Sequence, residues 1–279
     1  MMKRIDLHTH TTASDGIYSP VELINYAMKN NIIAMAITDH DTVNGLEEGM
    51  EYASSLNFNL IPGVEFSIDY SIGSFHLVGL NIDYKSAILL ETLEREETLR
   101  LERASKIVNE LSDYGLDISF NEVLSRTNNR NIGKSHIARE VVSKGYCKDI
   151  YEVFQNFMVK GKPGYVEREK LSANDAVSII KESGGISVIA HPSSLNLDSV
   201  NAFENIVKDL IAPGLSGIEV YSSMNSIEEI ELYKKIAREY DLLISGGSDF
   251  HGDKGEEIGF YAEGRAVPLS ILNEIEKHI

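Results

Sequence analysis

Residues 32–41 read IIAMAITDHD. The first six form an apolar, β-branched-rich run bounded by polar residues, the pattern of a buried strand. The run then ends on Thr38-Asp39-His40-Asp41, which puts an imidazole and carboxylates at the strand's C-terminal end. The same arrangement stands upstream, where a short strand over residues 3–7 runs into Asp6-Leu7-His8-Thr9-His10. Between them a helix opens at Ser19-Pro20, with Ser19 as N-cap, Pro20 at the first helical position and Glu22 in the first turn. Downstream, the pattern predicts a helix over 43–56, a strand over 59–67 broken at Pro62-Gly63, and a strand over 74–82.

The alternation stops near Ser86. From there to about residue 109 the sequence is charged and helix-favouring, with Leu89, Leu93, Leu101 and Val108 among its apolar positions, and more helices are expected to about residue 157. Residues 86–164 read as a largely helical insertion. Alternation then resumes with a helix over 172–182, capped by Ser172 and ended by Gly184-Gly185, and a strand over 186–190. A strand over 217–221, a helix over 226–240, a strand over 242–245 and a closing helix over 268–278 follow. Repeated strand–helix units imply a parallel sheet with covered faces, open or closed into a barrel.

Composition narrows the class. The chain has 279 residues, 43% hydrophobic and 25% charged, the balance of an ordinary globular protein. Its net charge of -17 argues against tight binding to duplex nucleic acid, which depends on Lys and Arg neutralising phosphates. A single cysteine, Cys147, excludes an internal disulfide and fits a reducing compartment. No apolar run approaches a membrane span and the N-terminus shows no apolar leader core, so a cytoplasmic protein is expected.

Six of the eight histidines lie in or just after a predicted strand: His8, His10, His40, His76, His191 and His251. Glu65 lies in the third strand, Asp15 in the first loop, and Asp249 two residues before His251. Alternate residues of a strand point the same way, so His8 and His10 can reach one ion together, as can Asp249 and His251. Strand–helix barrels gather their active sites at strand C-termini. Imidazole and carboxylate ligands suit Zn, Mn or Fe, and Glu65 has the chemistry of a bridge between neighbouring ions.

The motif set resembles the PHP (polymerase and histidinol phosphatase) family, closest to its stand-alone bacterial phosphoesterases acting on nucleotides. The matching segments are Asp6-Leu7-His8-Thr9-His10 with Ser14-Asp15-Gly16, residues 36–41, 63–67, 76–80, 189–192 and 217–221, and Gly246-Gly247-Ser248-Asp249-Phe250-His251-Gly252. The resemblance implies an α/β fold, a distorted (β/α)7 TIM-like barrel built from residues 1–85 and 165–279, with the 86–164 insertion as a substrate-side cap. It implies two to three divalent ions (Mn, Zn or Fe) held by His8, His10, Asp15, His40, Glu65, His76, His191, Asp249 and His251. One allocation puts His8, His10, Glu65 and Asp249 on the first ion. Glu65, His76 and His191 then hold the second, and Asp15, His40 and His251 the third. It also assigns a water proton to Asp249, with His191 or His251 as alternatives for assisting the leaving group.

The insertion carries a cationic and polar cluster, Arg130, Lys134, Ser135, His136 and Arg139, in an otherwise acidic chain. Arg offers a planar fork and Lys a point charge to phosphate oxygens, so these residues form a candidate phosphate clamp. Nucleotide-cleaving members of the family often read Arg-Pro-His where this chain has Lys134-Ser135-His136. Lys162 is a further phosphate candidate, and Tyr165 is read either as stacking on a base or as packing. Cys147 lacks a paired histidine motif, and Ser248 lacks the Gly-x-Ser-x-Gly elbow, so covalent catalysis is not expected. The expected substrate is a phosphorylated nucleotide, foremost a nucleoside 3',5'-bisphosphate cleaved at the 3'-phosphate. Successive removal of 5'-nucleotides from short RNA is the alternative by the same chemistry. A non-catalytic metal-binding module is the alternative from another class.

Overall fold

The structure is a computed structural model that describes residues 3–70, 73–125, 132–167, 171–252 and 257–278. Seven strands make one sheet in the order of the sequence: β1 (Arg4–Asp6), β2 (Ile32–Ile37), β3 (Asn59–Ile68), β4 (Phe75–Leu80), β5 (Ile186–Ile189), β6 (Gly217–Ser222) and β7 (Leu243–Gly247). The sheet curls until its ends meet: the Leu7 amide donates to Gly246 C=O at 3.2 Å, and Thr9 bridges Phe250 in parallel. The result is the nearly closed barrel expected from the sequence.

The expectation of an all-parallel sheet is corrected at one strand. β4 runs antiparallel to both β3 and β5, while the other pairs are parallel. Only residues 69–74 separate β3 from β4. That is too short for the helical crossover a parallel neighbour needs. The expected break at Pro62-Gly63 is also absent, and β3 runs through it. Pro62 lacks an N–H but still pairs opposite Ile37, and its carbonyl accepts from the Ile82 amide at 3.2 Å. Gly63 is there for space, because a Cβ would sit 2.8 Å from both Gly79 O and Thr38 Cγ2.

Helices α1 (Pro20–Lys29), α2 (Leu46–Leu56), α7 (Ala173–Glu182), α8 (Val200–Ile211) and α9 (Ile227–Glu239) flank the sheet. α1 starts on the capping box expected at Ser19 and Glu22, and α9 on a second box at Ser226 and Glu229. α8 was not foreseen; Ser199 caps it and Phe203, Val207 and Leu210 bury one stripe. Met35, Ile37, Val64, Phe66 and Ile218 pack against these helices. The alternate register, Ala34, Ala36, Ile61, Val78 and Leu80, packs with Ile271, Leu272 and Ile275 of the final helix α10 (Ser270–Glu276). The strands' period of two puts Glu65 on the face of Ile61 and Gly63, and His76 on the face of Val78 and Leu80. Each of these lines of side chains is apolar at one end of the barrel and ligating at the other.

Between β4 and β5 the chain forms α3 (Ala87–Asp113), α4 (Phe120–Ser125), α5 (Lys134–Ser143), α6 (Ile150–Val153) and a π-helical turn at Phe154–Met158. Leu89 and Leu93 of α3 belong to the barrel's core, whereas Ala104, Ile107, Val108 and Leu111 join Ile137, Val141, Val153 and Met158 in a cluster of their own. One helix is thus anchored in both bodies. A short β8 (Phe260–Tyr261) and β9 (Arg265–Ala266) pair near the C-terminus. Among the described residues no helix is long and apolar enough to cross a membrane.

Candidate metal centre at the barrel rim

Six strands deliver side chains of metal-ligating type to one rim. His8 and His10 follow β1, His40 follows β2, Glu65 is in β3, His191 follows β5, and Asp249 and His251 follow β7. His76 is the second residue of β4, and it arrives at this rim because β4 is antiparallel. In a parallel strand the same position would lie at the opposite end of the barrel.

Glu65, fully buried, is the hub. Its Oε2 lies 3.3 Å from His8 Nε2, 3.3 Å from His10 Nε2 and 2.8 Å from His40 Nδ1. Its Oε1 lies 2.8 Å from His76 Nδ1 and 3.0 Å from His191 Nε2. Asp249 Oδ1 stands 3.3 Å from His8 Nε2 and 3.0 Å from His10 Nε2, and Asp15 Oδ1 stands 3.2 Å from His251 Nε2. Three groups of ligand atoms each fall within 4.8 Å: His8, His10, Glu65 and Asp249; His10, Asp15, His40 and His251; and His40, Glu65 and His76. In the allocation drawn from the resemblance, the third ion had no His10, and the second had His191 where this last group has His40.

The donor set fits cations. The Ser194 hydroxyl donates to Ser74 C=O at 2.8 Å, so His191 Nδ1–H donates to Ser194 Oγ at 2.9 Å. His251 Nδ1–H donates to Asp249 C=O at 2.8 Å. In both rings the remaining Nε2 therefore faces a carboxylate oxygen, a pair that either a proton or a cation between them satisfies. His8 Nε2 and Glu65 Oε2 are buried with no hydrogen-bond partner. Buried polar atoms without partners are rare and call for an ion or water.

The charges reinforce one another. Burial disfavours the ionised Glu65, yet His40, His76 and His8 around it hold its carboxyl well below the usual carboxylate range. Asp15 and Asp249 are partly buried and likewise held low, by His40 and His251 and by His8 and His10 respectively. Burial, with His251 beside it, drives His10 down to about 3. Burial opposes the charged form of His251 too, but the hydrogen bond and charge of Asp15, with the charge of Asp249, push it up to about 10.

Buried carboxylates fix the backbone that carries these ligands. Asp39 accepts from the Thr11 amide (2.7 Å), the Thr11 hydroxyl (2.7 Å) and the Ser14 hydroxyl (2.5 Å), bracing the loop between His10 and Asp15. Asp6 accepts from the amides of His8, Ser248 and Gly259 and from the Ser248 hydroxyl, tying β1 to the segment after β7. Gly247 packs so closely on β1 that a Cβ would lie 2.4 Å from His8 Cβ.

The insertion reaches this centre through α5. Ser135 Oγ donates to Asp15 Oδ2 at 3.0 Å, and the Arg139 guanidinium donates to Asp15 C=O at 2.9 Å. His136 Nδ1 accepts from the Gly133 amide at 3.1 Å, closing the helix start. Burial, together with Arg139 and Arg100, lowers the His136 pKa against the pull of Asp15. Lys134 turns the other way, donating to Met158 C=O at 3.1 Å and standing 5.7 Å from the Tyr165 ring centroid. Lys162 is exposed, and among the described residues its side chain makes no ion pair. Arg130 lies outside the described residues.

Arg100, Asp41, Ser194 and Glu219 were missed as site-supporting residues. Arg100 Nε donates to Asp41 Oδ2 at 2.7 Å and its guanidinium donates to Ser67 Oγ at 2.8 Å, strapping α3 to the barrel beside His40. Asp41 also accepts from the Ser67 amide at 2.8 Å. Asp41 and Ser194 each adjoin or follow closely a ligand histidine, the one local signal available; Arg100 has none. Glu219 lies in a quoted family motif, but nothing local marks its role.

A barrel whose rim gathers imidazoles and carboxylates around one buried glutamate is the architecture of a metal-dependent phosphoesterase. The chain belongs to the PHP family: the PHP domain model matches residues 6–186. It is 34% identical over 281 residues to a 3',5'-nucleoside bisphosphate phosphatase of Chromobacterium violaceum, covering 100% of this chain and 98% of that one. It is 34% identical over 248 residues to the 5'-3' exoribonuclease Rnm of Escherichia coli, covering 88% of this chain and 84% of the relative. A solved structure from Bifidobacterium adolescentis, assigned by inference as a metal-dependent phosphoesterase, superposes with a TM-score of 0.88 at 28% identity, covering 100% of this chain and 97% of that one.

Proposed function

We propose that this hydrolase of phosphoric ester bonds removes the 3'-phosphate from nucleoside 3',5'-bisphosphates, using two or three divalent ions (Mn, Zn or Fe). The observation that carries the reading is the direct seating of the insertion's Ser135 and Arg139 on Asp15, one of the nine proposed ligands. Cationic and hydroxyl groups suited to phosphate thus stand beside the carboxylate–imidazole cluster. The full-length similarity to a bisphosphate phosphatase supports the substrate class.

His8, His10, Glu65 and Asp249, with Asp15, His40, His76, His191 and His251, would hold the ions. When bound, such ions acidify water and neutralise charge on phosphoryl oxygens. Asp249 accepts the proton of the attacking water, whose oxygen forms the new bond to phosphorus as the bond to the ribose 3'-oxygen breaks. Arg139 and Ser135, with His136 behind them, offset the charge that develops on the phosphoryl oxygens. The leaving ribose oxygen takes a proton from solvent water. His191 is already committed through both ring nitrogens, to Ser194 and Glu65, and His251 likewise to Asp249 C=O and Asp15. Neither has a free nitrogen for that step unless a ligand contact opens. Tyr165 and Lys134 support one another and the Met158 carbonyl, so we assign them to shaping the cap. Lys162, which is exposed, is assigned to the outer approach of the substrate. The buried single thiol, Cys147, fits a reducing, cytoplasmic setting.

The second reading, successive release of 5'-nucleotides from short RNA, is favoured by the similarity to the exoribonuclease Rnm. One experiment separates the two. Phosphate or nucleotide release is measured from adenosine 3',5'-bisphosphate, AMP and a short 5'-phosphorylated RNA, with Asp249→Asn protein as background. Preference for the bisphosphate, lost in the variant, is the expected result. Preference for the RNA moves the assignment to the second reading, and turnover of none of the three overturns both.

A further inference from the structure

We propose that Glu219 is a positioning residue of the metal centre, one carboxylate that orients His8 and His191 together. The proposal rests on the reading of the rim as a metal centre. β6 carries none of the nine ligands, yet it places this glutamate, 2% exposed, between the ligands that follow β1 and β5. Glu219 Oε1 lies 3.0 Å from His8 Nδ1, and Glu219 Oε2 accepts the His191 amide at 2.6 Å.

The two contacts do different work. A hydrogen bond from Nδ1–H to Oε1 fixes the tautomer and the ring plane of His8. Its Nε2 lone pair then points at Glu65 Oε2 and Asp249 Oδ1, each 3.3 Å away. A ligating histidine held in this way by a carboxylate is a better and better-oriented ligand. The second contact acts on backbone. His191 has φ 24 and ψ 65, a conformation that a residue with a Cβ adopts only when its surroundings enforce it. The hydrogen bond from the His191 amide to Glu219 supplies part of that enforcement. The His8 and His191 rings consequently stack, with centroids 5.5 Å apart and planes 21° from parallel. Glu219 is itself held: Asn225 Nδ2 donates to the carbonyls of Glu219 (3.1 Å) and Val220 (3.0 Å).

The chemistry demands a carboxylate. Both neighbours, His8 Nδ1–H and the His191 amide, are donors, and a carboxylate offers an acceptor oxygen to each. A carboxamide offers one acceptor and turns an NH2 group toward the other donor. Aspartate keeps both acceptors but is one methylene shorter.

The test compares wild type, Glu219→Gln and Glu219→Asp as full chains. Mn affinity is measured by chelator competition, the absorption spectrum of the Co-loaded proteins is recorded, and melting is followed without added metal. The expected result is folded variants whose Mn affinity is weaker by about 10–100-fold, with an altered Co spectrum. Phosphate release from the variants should recover as Mn is raised in proportion. Folded variants with wild-type affinity and an unchanged Co spectrum overturn the proposal, whatever their melting temperature. Failure of both variants to fold also overturns it, since Glu219 would then serve the fold and not the ligands. If wild type itself binds no ion, it is the reading of the rim as a metal centre that fails.

Discussion

Ser135 donates to Asp15 across 120 residues of sequence, a 3.0 Å hydrogen bond that fastens the insertion to the barrel rim at a proposed ligand. Arg139 reinforces it from the next turn of α5 through the Asp15 carbonyl. Removing either partner should therefore affect turnover more than folding. A hydrogen bond to a charged group is worth about 1.5–3 kcal/mol, which corresponds to roughly 10–100-fold in kcat/KM for Arg139→Ala. Ser135→Ala should lose less, because it removes no cationic charge from the substrate side. Steady-state kinetics on the bisphosphate check this, with melting curves as the control. Unchanged kcat/KM in Arg139→Ala would remove α5 from the substrate side.

Arg100 and Asp41 form the other strap between the insertion and the barrel. The Asp41 side chain is 1% exposed and that of Arg100 12%, so this is a buried pair. Arg100→Met leaves the Asp41 charge uncompensated and should destabilise the protein by about 3 kcal/mol. Adding Asp41→Asn should recover part of that loss, because the two residues act as one unit. Urea unfolding of the two single variants and the double variant measures the coupling. Strict additivity would show that the pair contributes nothing as a pair.

Metal binding should be linked to pH. Without ions, carboxylate neighbours overcome burial and hold the pKa of His8 well above, and that of His251 at about 10 against, the ordinary 6.5. Both rings are then protonated near neutral pH, and an ion that takes Nε2 must displace a proton. Mn affinity should rise with pH, by about tenfold per unit for each proton displaced. The sign reverses for the stability of the stripped protein. The contribution of His251 is complete below pH 6.5 and is lost as pH rises through about 10. Calorimetric titrations with Mn at several pH values, in buffers of different ionisation enthalpy, test the linkage. Affinity that stays flat between pH 6 and 8 would contradict it.

Gly63 is a steric test of the barrel. An alanine there would press on Gly79 O and Thr38 Cγ2, both held in neighbouring strands. Gly63→Ala should cost about 1–3 kcal/mol, the usual penalty of overpacking a tight interior. Glu65 lies two residues along the same face, so the variant should also bind Mn more weakly. Wild-type stability by urea unfolding would mean that β3 and β4 can part there without cost.

Much of the barrel could be read from local pattern, because its strands are short apolar runs punctuated by capped helices. His8, His10, His40, His191, Asp249 and His251 stood out because they follow those runs directly. His76 was legible as a residue but not as a rim residue, since its place depends on the direction of β4. That direction is a tertiary fact, although the six-residue connection before β4 carried the signal. Pro62-Gly63 misled for a related reason: a residue pair that ends an isolated strand is accommodated where Ile82 supplies the donor and Gly79 demands the space. Lys134 looked like a phosphate cation, but long side chains choose targets that spacing does not encode, and this one reaches Met158 C=O. Arg100 and Glu219 act across 59 and 211 residues on Asp41 and His8. Such separations leave no trace in local sequence.

The central claim is that the cluster around Glu65 is a metal centre that hydrolyses a phosphoester. The most direct measurement takes chelator-stripped protein, adds Mn stepwise, and records bound ions per chain and phosphate release from adenosine 3',5'-bisphosphate in the same samples. Release should be absent in the stripped protein, rise as two to three ions bind, and stay at background in Asp249→Asn. Release that persists in verified metal-free protein, or full loading with no release from any phosphoester, would contradict the account.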